Sequence, residues 1–242
     1  MLVLDDVTQL MQAQRDAAWG EAARRMAHEI KNPLTPIQLS AERLEAKLAD
    51  RLEGAARDIL TRATATIVGQ VNAMKGLVDA FAQYARLPSP RIERLDINAL
   101  VHEVTHLYEE SAQLETALAE GLPPVAGDPA LLRQVLVNLI KNAQEAVAEG
   151  VEPHIRVLTL HHGDHVDICV ADNGPGFPDE LKGRMFEPYA TTKPKGTGLG
   201  LPVVKKIVEE HHGSITVSNM ENGGAQVCVR LPALIDKEGH DV

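Results

Sequence analysis

The run DPALLRQVLVNLIKNAQEA, Asp128 to Ala146, is followed by two glycine-rich stretches, DNGPGF at 172–177 and GTGLGL at 196–201. Asp128 can cap a helix, and Pro129 suits its first position, where a missing N–H is no loss. That helix continues through Leu136, Leu139 and Ile140 to about Ala148. Further on, Ile155–Leu160 and Val166–Ala171 read as a β-hairpin across His161-His162-Gly163-Asp164. Leu201 to about His211 reads as a helix. Ser214–Ser218 and Gln226–Leu231 read as strands flanking the turn Glu221-Asn222-Gly223-Gly224. Upstream, Asn98 can cap a helix carrying Leu100, Val101, Val104 and Leu107. Helices alternating with paired strands predict an α/β sandwich, a mixed sheet with helices on one face, over residues 95–234.

Three motifs in this region carry candidate chemistry. Asn138 and Asn142 lie four apart and share a helix face. They read either as a solvated polar stripe or as two carboxamides lining a cleft, where a carboxamide is a weak neutral ligand for Mg²⁺. In DNGPGF, Gly174 and Gly176 let backbone approach a ligand and Asp172 can accept a hydrogen bond from an amine, although a plain surface turn has the same composition. In GTGLGL, Gly196, Gly198 and Gly200 lead into a helix N-terminus, which aims N–H groups and the positive dipole end at phosphate. A flexible loop also looks like this. Neither a strand-GxGxxG-helix unit nor a P-loop lysine-serine pair is present.

The N-terminal third has a different texture. From Thr8 to Arg86 proline is absent except at Pro33 and Pro36, and helix formers dominate. Leu34, Ile37, Ala41, Leu44 and Leu48 advance by threes and fours, as do Ile67, Val71, Met74, Val78 and Phe81. Two such seams joined near Asp50–Gly54 predict an antiparallel helical hairpin. Two helices cannot cover their own stripes, so a homodimer closing a four-helix bundle is expected. Within HEIKNP, starting at His28, Pro33 and Pro36 remove the donors to the carbonyls of Glu29 and Asn32, so the helix should bend there. His28 is a nucleophile near neutral pH if its second nitrogen can hand a proton to a neighbour, and Glu29 is the adjacent carboxylate. Taken alone, a helical histidine is more often an ordinary surface residue, and it is the neighbours of His28 that change the reading.

Composition narrows the classes. A formal charge of −10 with 3% aromatic residues lacks the cationic footprint and stacking platforms of a nucleic-acid binder. No apolar run approaches the roughly 20 residues that span a bilayer, so no membrane contact is expected from this region, and a cytoplasmic setting is. Cys169 and Cys228 lie alone in strand-like apolar runs and read as reduced, buried hydrophobes. Residues 87–94 read as a linker and 235–242 as a tail.

In order and spacing, the asparagine pair, DNGPGF, Phe186-Glu187-Pro188 and GTGLGL closely resemble the ATP-binding domain of sensor histidine kinases. That fold is shared with DNA gyrase, a heat-shock chaperone family and mismatch-repair ATPases. The resemblance covers Leu95 to Pro232. It implies ATP and Mg²⁺ as cofactors, Asp172 on the adenine amine, and Asn142 as the Mg²⁺ ligand with Asn138 beside it. It implies a mobile lid over Arg184–Lys195, including Thr191, Thr192, Lys193 and Lys195, and phosphates held by the backbone of Gly196, Thr197, Gly198, Leu199 and Gly200. Lys193 or Lys195 would add a cation there. Related hydrolytic ATPases carry a water-activating glutamate where this chain has Asn138, which cannot act as a general base.

HEIKNPLTPI strongly resembles the phospho-acceptor box of histidine kinases. The longer run RRMAHEIKNPLTPIQLSAERL is similar to that of the nitrogen-regulation sensor kinases, particularly the NtrY-like branch. Over 8–86 this implies a dimerisation and histidine-phosphotransfer domain, with an aspartate-bearing response-regulator receiver domain as partner. It implies that His28 accepts the phosphoryl group, with Glu29 as general base. It also implies that Asn32 orients water when the regulator is dephosphorylated. The opening LVLDDVTQL, through residue 7, resembles the last strand of a PAS sensor. The rival readings are a non-catalytic scaffold that binds ATP and a hydrolytic ATPase. Intact motif residues speak against the first and Asn138 against the second.

Overall fold

The computed structural model describes residues 8–85, 89–108, 113–147, 151–181, 183–193, 196–221 and 223–234. The PAS-like opening, the tail and Lys195 therefore lie outside the described residues. The chain divides into two compact units, one helical and one α/β.

In the helical unit, α1 (Thr8–Leu48) and α2 (Gly54–Ala85) are joined by a 3-10 turn at Ala49–Arg51. α1 is one helix through both prolines, and its 41 residues correspond to ~60 Å along the helix. Ala23, Ala27, Leu34 and Ala41 of α1 are buried with Thr64 and Val71 of α2, a largely seven-residue repeat that keeps one stripe inside. Polar ties mark the antiparallel register. Lys31 pairs with Asp79, Lys75 donates to Gln38 at 2.7 Å, and Thr64 donates to Glu45 at 2.9 Å. The hairpin leaves a second stripe uncovered. Ile30, Ile37, Leu44, Ile67 and Met74 are exposed, so only part of the apolar periodicity is used within one chain.

The α/β unit runs β1 (Glu93–Leu95), α3 (Ile97–His106), β2 (Gln113–Ala117), β3 (Val125–Gly127), α4 (Pro129–Ala146), β4 (His154–His162), β5 (His165–Asp172), α5 (Gly200–Glu210), β6 (Ser214–Asn219) and β7 (Ala225–Pro232). β1 and β3 form a two-stranded ribbon, and the main sheet has the order β2-β4-β5-β7-β6. The β2–β4 pair is parallel and the others antiparallel, so the sheet is mixed. Alternate residues are buried on one face: Ile155 and Val157, then Val166, Ile168 and Val170, then Val227, Val229 and Leu231. These meet the buried sides of α4 and α5, including Leu132, Leu136, Leu139, Ile140, Val204 and Ile207. The other face carries Arg156, Ser214, Thr216 and Arg230, all exposed. No helix among the described residues is long and apolar enough to cross a membrane.

Helix starts follow local chemistry, with one correction. Asp128 caps α4 as expected, accepting from Ala130 N at 2.9 Å and Leu131 N at 3.1 Å. Burial pushes its carboxyl upward, but hydrogen bonds from the Arg91, Leu131 and Ala130 backbones outweigh this and hold it below the usual range. The cap of α3 is Asp96, not Asn98. Asn98 instead donates to the Ala119 carbonyl at 2.9 Å and accepts from Thr159 at 2.8 Å. Its amide is spent on β4 and the loop beside it, and the carboxylate of Asp96, two residues earlier, caps instead.

On the helix-free face, Arg230 grips the nearly buried Asp167 through two bonds of 2.7 and 2.8 Å. That guanidinium holds the Asp167 carboxyl below its ordinary range, against the opposing pull of burial. A depressed carboxylate contributes stability that is full above its unfolded value, ~3.9, and is lost as pH falls through the lower folded one. Asp167→Asn is therefore expected to cost about 1–2 kcal/mol at pH 7, discounted because Arg230 is half exposed. The deficit should shrink below pH 4 in thermal melts of both proteins.

Candidate functional site

α4 is the spine of the site. Asn138 and Asn142 are half-buried on it, between the buried Val135, Leu139 and Ala143. At Asn142 the start of α5 arrives. A Cβ on Gly200 would sit 3.2 Å from the Asn142 amide nitrogen and 3.3 Å from its oxygen, so the glycine lets that helix begin against the carboxamide without the carboxamide giving way by a few tenths of an ångström. One turn later on α4, a Cβ on Gly174 would lie 3.0 Å from the Ala146 carbonyl and 2.9 Å from Asp172 Oδ1. The last glycine of GTGLGL and the first of DNGPGF thus meet the same helix within four residues. Two loops some 20 residues apart in sequence converge on one spot.

Asp172 ends β5 and is 8% exposed. Its Oδ1 accepts from Gly174 N at 2.9 Å and Ala225 N at 3.3 Å, which fixes the carboxylate between the DNGPGF loop and the start of β7. The loop itself is clamped by a residue the sequence did not single out. Asn219 accepts from Phe177 N at 2.8 Å and donates back to the Phe177 carbonyl at 2.9 Å. Gly224, read only as part of a turn, packs against the Asp172 carbonyl, where any Cβ would collide at 1.9 Å. An Asn-Gly-Gly turn before a strand gave no hint of this, because the contact is with a strand some fifty residues away.

The segment before the glycine motif meets it at Gly198. Tyr189 N donates to the Gly198 carbonyl at 3.0 Å, and Leu199, 1% exposed, anchors the loop before α5. Arg184 pairs with Glu187 at 2.7 Å, and Lys205 stands 5.5 Å from the Phe186 ring centre. Thr191 and Thr192 are exposed and Lys193 is half-buried. Gly196 N donates to the Lys193 carbonyl at 3.1 Å.

At the far end of α5, His211 is 2% exposed. Its Nε2 accepts from the Asp128 backbone N–H at 2.9 Å, and its Nδ1 donates to the Ile207 carbonyl at 2.7 Å. Only the neutral imidazole with Nδ1 protonated satisfies both partners. α4 and α5 are tied at both ends, by His211 at one and by Gly200 against Asn142 at the other.

In the helical unit His28, Glu29 and Asn32 are all exposed on α1. His28 and Asn32 are one turn apart on the same side. Glu29 accepts from Arg25 at 3.0 Å across one turn. An exposed pair of this kind is worth about 0.3–0.5 kcal/mol, too little to tie up the carboxylate.

Residues 127–235 match the family described as histidine kinase-, DNA gyrase B-, and HSP90-like ATPase, and residues 18–90 match the His kinase A phospho-acceptor domain. The nitrogen regulation protein NtrY of Azorhizobium caulinodans is 42% identical over 96% of this chain, which spans 31% of that relative's length. The solved catalytic domain of the histidine kinase ThkA is 35% identical, with a TM-score of 0.53, over 59% of this chain and 96% of its own. ThkA in complex with the response regulator TrrA aligns over 95% of this chain and 68% of its own, at 28% identity and a TM-score of 0.65. A phospho-acceptor domain followed by this nucleotide-binding fold, both matched at the motifs whose geometry is given above, means that the chain belongs to the sensor histidine kinases of two-component systems.

Proposed function

We propose that this chain phosphorylates His28 from Mg-ATP and passes the phosphoryl group to an aspartate of a response-regulator receiver domain. The observation that carries the reading is the convergence of Gly174 and Gly200 on one turn of α4, beside Asp172 and Asn142. That cradle has the groups a nucleotide needs: a fixed carboxylate to accept from the adenine amine, a carboxamide at the metal, and the N-terminus of α5 for phosphate. Among the described residues no group of three His, Cys, Asp or Glu could hold a metal alone. Asn142 would hold a magnesium ion with phosphates and water completing its ligands, and the ion would supply charge neutralisation. Asn138 lies beside it on α4, and Gly176, Gly198 and the Thr191–Lys193 segment border the same loops.

In this reading His28 Nε2 attacks the γ-phosphorus, the bond to the ADP oxygen breaks, and the Nδ1 proton passes to Glu29. ADP leaves with the electron pair. The uncovered stripe of Ile30, Ile37, Leu44, Ile67 and Met74 supports a homodimer in which a second hairpin completes a four-helix bundle. The ThkA–TrrA complex supports a receiver-domain partner. The reaction places the chain where ATP is, in the cytoplasm.

Incubation with γ-labelled ATP is expected to label the chain through an acid-labile, alkali-stable N–P bond. Acid-stable label, or ATP hydrolysis without label, would overturn the kinase reading. We infer further that Asn32 holds the water that attacks a phosphorylated receiver aspartate. Asn32→Ala should then lower dephosphorylation of the cognate regulator by roughly tens- to thousands-fold while self-phosphorylation persists. Dephosphorylation at the wild-type rate would remove the phosphatase role and leave the kinase role intact.

A further inference from the structure

The two cysteines correct the expectation of isolated thiols. Cys169 of β5 stands directly opposite Cys228 of β7, with their Cα atoms 4.1 Å apart, and the two are joined by a disulfide. They were far apart in sequence, separated by 59 residues, and strand register alone brings them together. Both point to the helix-free face, the face of the Asp167–Arg230 pair, with Leu158 of β4 and Thr216 of β6 as flanking neighbours in register. Cys169 is 2% exposed, whereas Cys228 is half-buried and is the member reachable from outside.

The pair sits beside the candidate adenine carboxylate. Asp172 is three residues beyond Cys169 on β5, and its bonded partner Ala225 is three residues before Cys228 on β7. The covalent link and the Asp172–Ala225 bond therefore tie the same two strands, about 10 Å apart along them. An ATP-dependent domain works in a compartment where thiols are kept reduced, and disulfides found there are mostly transient and redox-sensing.

We propose that Cys169 and Cys228 form a thiol–disulfide exchange site, addressed through Cys228 by small-molecule disulfides and dithiols, that stiffens the strand pair holding Asp172. In oxidation the Cys228 thiolate attacks a small-molecule disulfide and expels one thiolate. Cys169 sulfur then attacks Cys228 sulfur and expels the second. The two thiol protons end on the two leaving thiolates, and the reagent takes up both electrons. A dithiol reverses each step.

The stiffening part rests on the nucleotide-site reading, whereas the exchange chemistry stands without it. The test uses the full 242-residue chain, equilibrated with glutathione disulfide or with dithiothreitol and then denatured and alkylated. Mass spectrometry is expected to find two alkyl groups after reduction and none after oxidation, on a monomeric polypeptide. The oxidised form should melt on the order of 10 °C higher and bind a non-hydrolysable ATP analogue roughly two- to fivefold more tightly. Cys228→Ala and Cys228→Ser should both bind the analogue like the reduced protein and ignore the redox treatment. Two alkyl groups after glutathione disulfide, or chains cross-linked to each other, would overturn the exchange site. A disulfide that cycles with identical analogue affinity in both states would overturn its coupling to Asp172. If neither state binds the analogue, the nucleotide-site reading fails instead, and the mass shift still decides the exchange site.

Discussion

His28→Gln is expected to reduce self-phosphorylation to background, a loss of more than about a thousandfold, because glutamine has no nucleophilic nitrogen to take a phosphoryl group. ATP affinity should stay within about twofold of wild type, since His28 belongs to the helical unit and the cradle at Asn142 to the α/β unit. The exposed position of His28 makes misfolding a poor alternative explanation for the loss. The measurement is label transfer from γ-labelled ATP beside titration with a fluorescent ATP analogue. Label persisting on the variant would move the acceptor to another residue.

The mirror-image result is expected of Asn142→Ala. Its carboxamide lies where α5 begins, within 3.3 Å of the place a Gly200 Cβ would take, so under the proposed function truncation would remove the magnesium ligand. Mg-ATP affinity should fall at least about 10- to 100-fold, the range that follows even from losing a supporting group around a metal. A variant chain that already carries a phosphoryl group on His28 should still pass it to the receiver. Tight Mg-ATP binding by Asn142→Ala would place the metal elsewhere. Loss of transfer from the pre-phosphorylated variant would show that Asn142 acts beyond nucleotide binding.

Several parts of this molecule were legible because their cause is local. The Asp128-Pro129 signal placed the start of α4, since a cap and its two N–H partners lie within one turn. The β4–β5 hairpin was read with its turn because alternation and turn chemistry are neighbours in sequence. The short strands β1, β2 and β3 were not read, for three to five residues carry too little periodicity to register. In LDINAL, Asp96 and Asn98 are both good caps, and the choice was made elsewhere: Thr159 and Ala119 engage Asn98.

The sequence by itself determined the two textures of the chain, the helical stripes and their seven-residue beat, the cap of α4, and the order of the motifs at His28, Asn138, Asp172 and Gly196. Each depends on contacts between residues within a few positions of one another, where backbone geometry leaves little choice. Tertiary structure decided which apolar stripe the hairpin buries, which glycines touch α4, that Asn219 and Gly224 hold the Asp172 loop, and that Cys169 meets Cys228. Those are matters of register between strands and helices far apart in the chain. Shifting β7 by one residue against β5 would leave every local propensity unchanged and would turn Cys228 to the opposite face of the sheet.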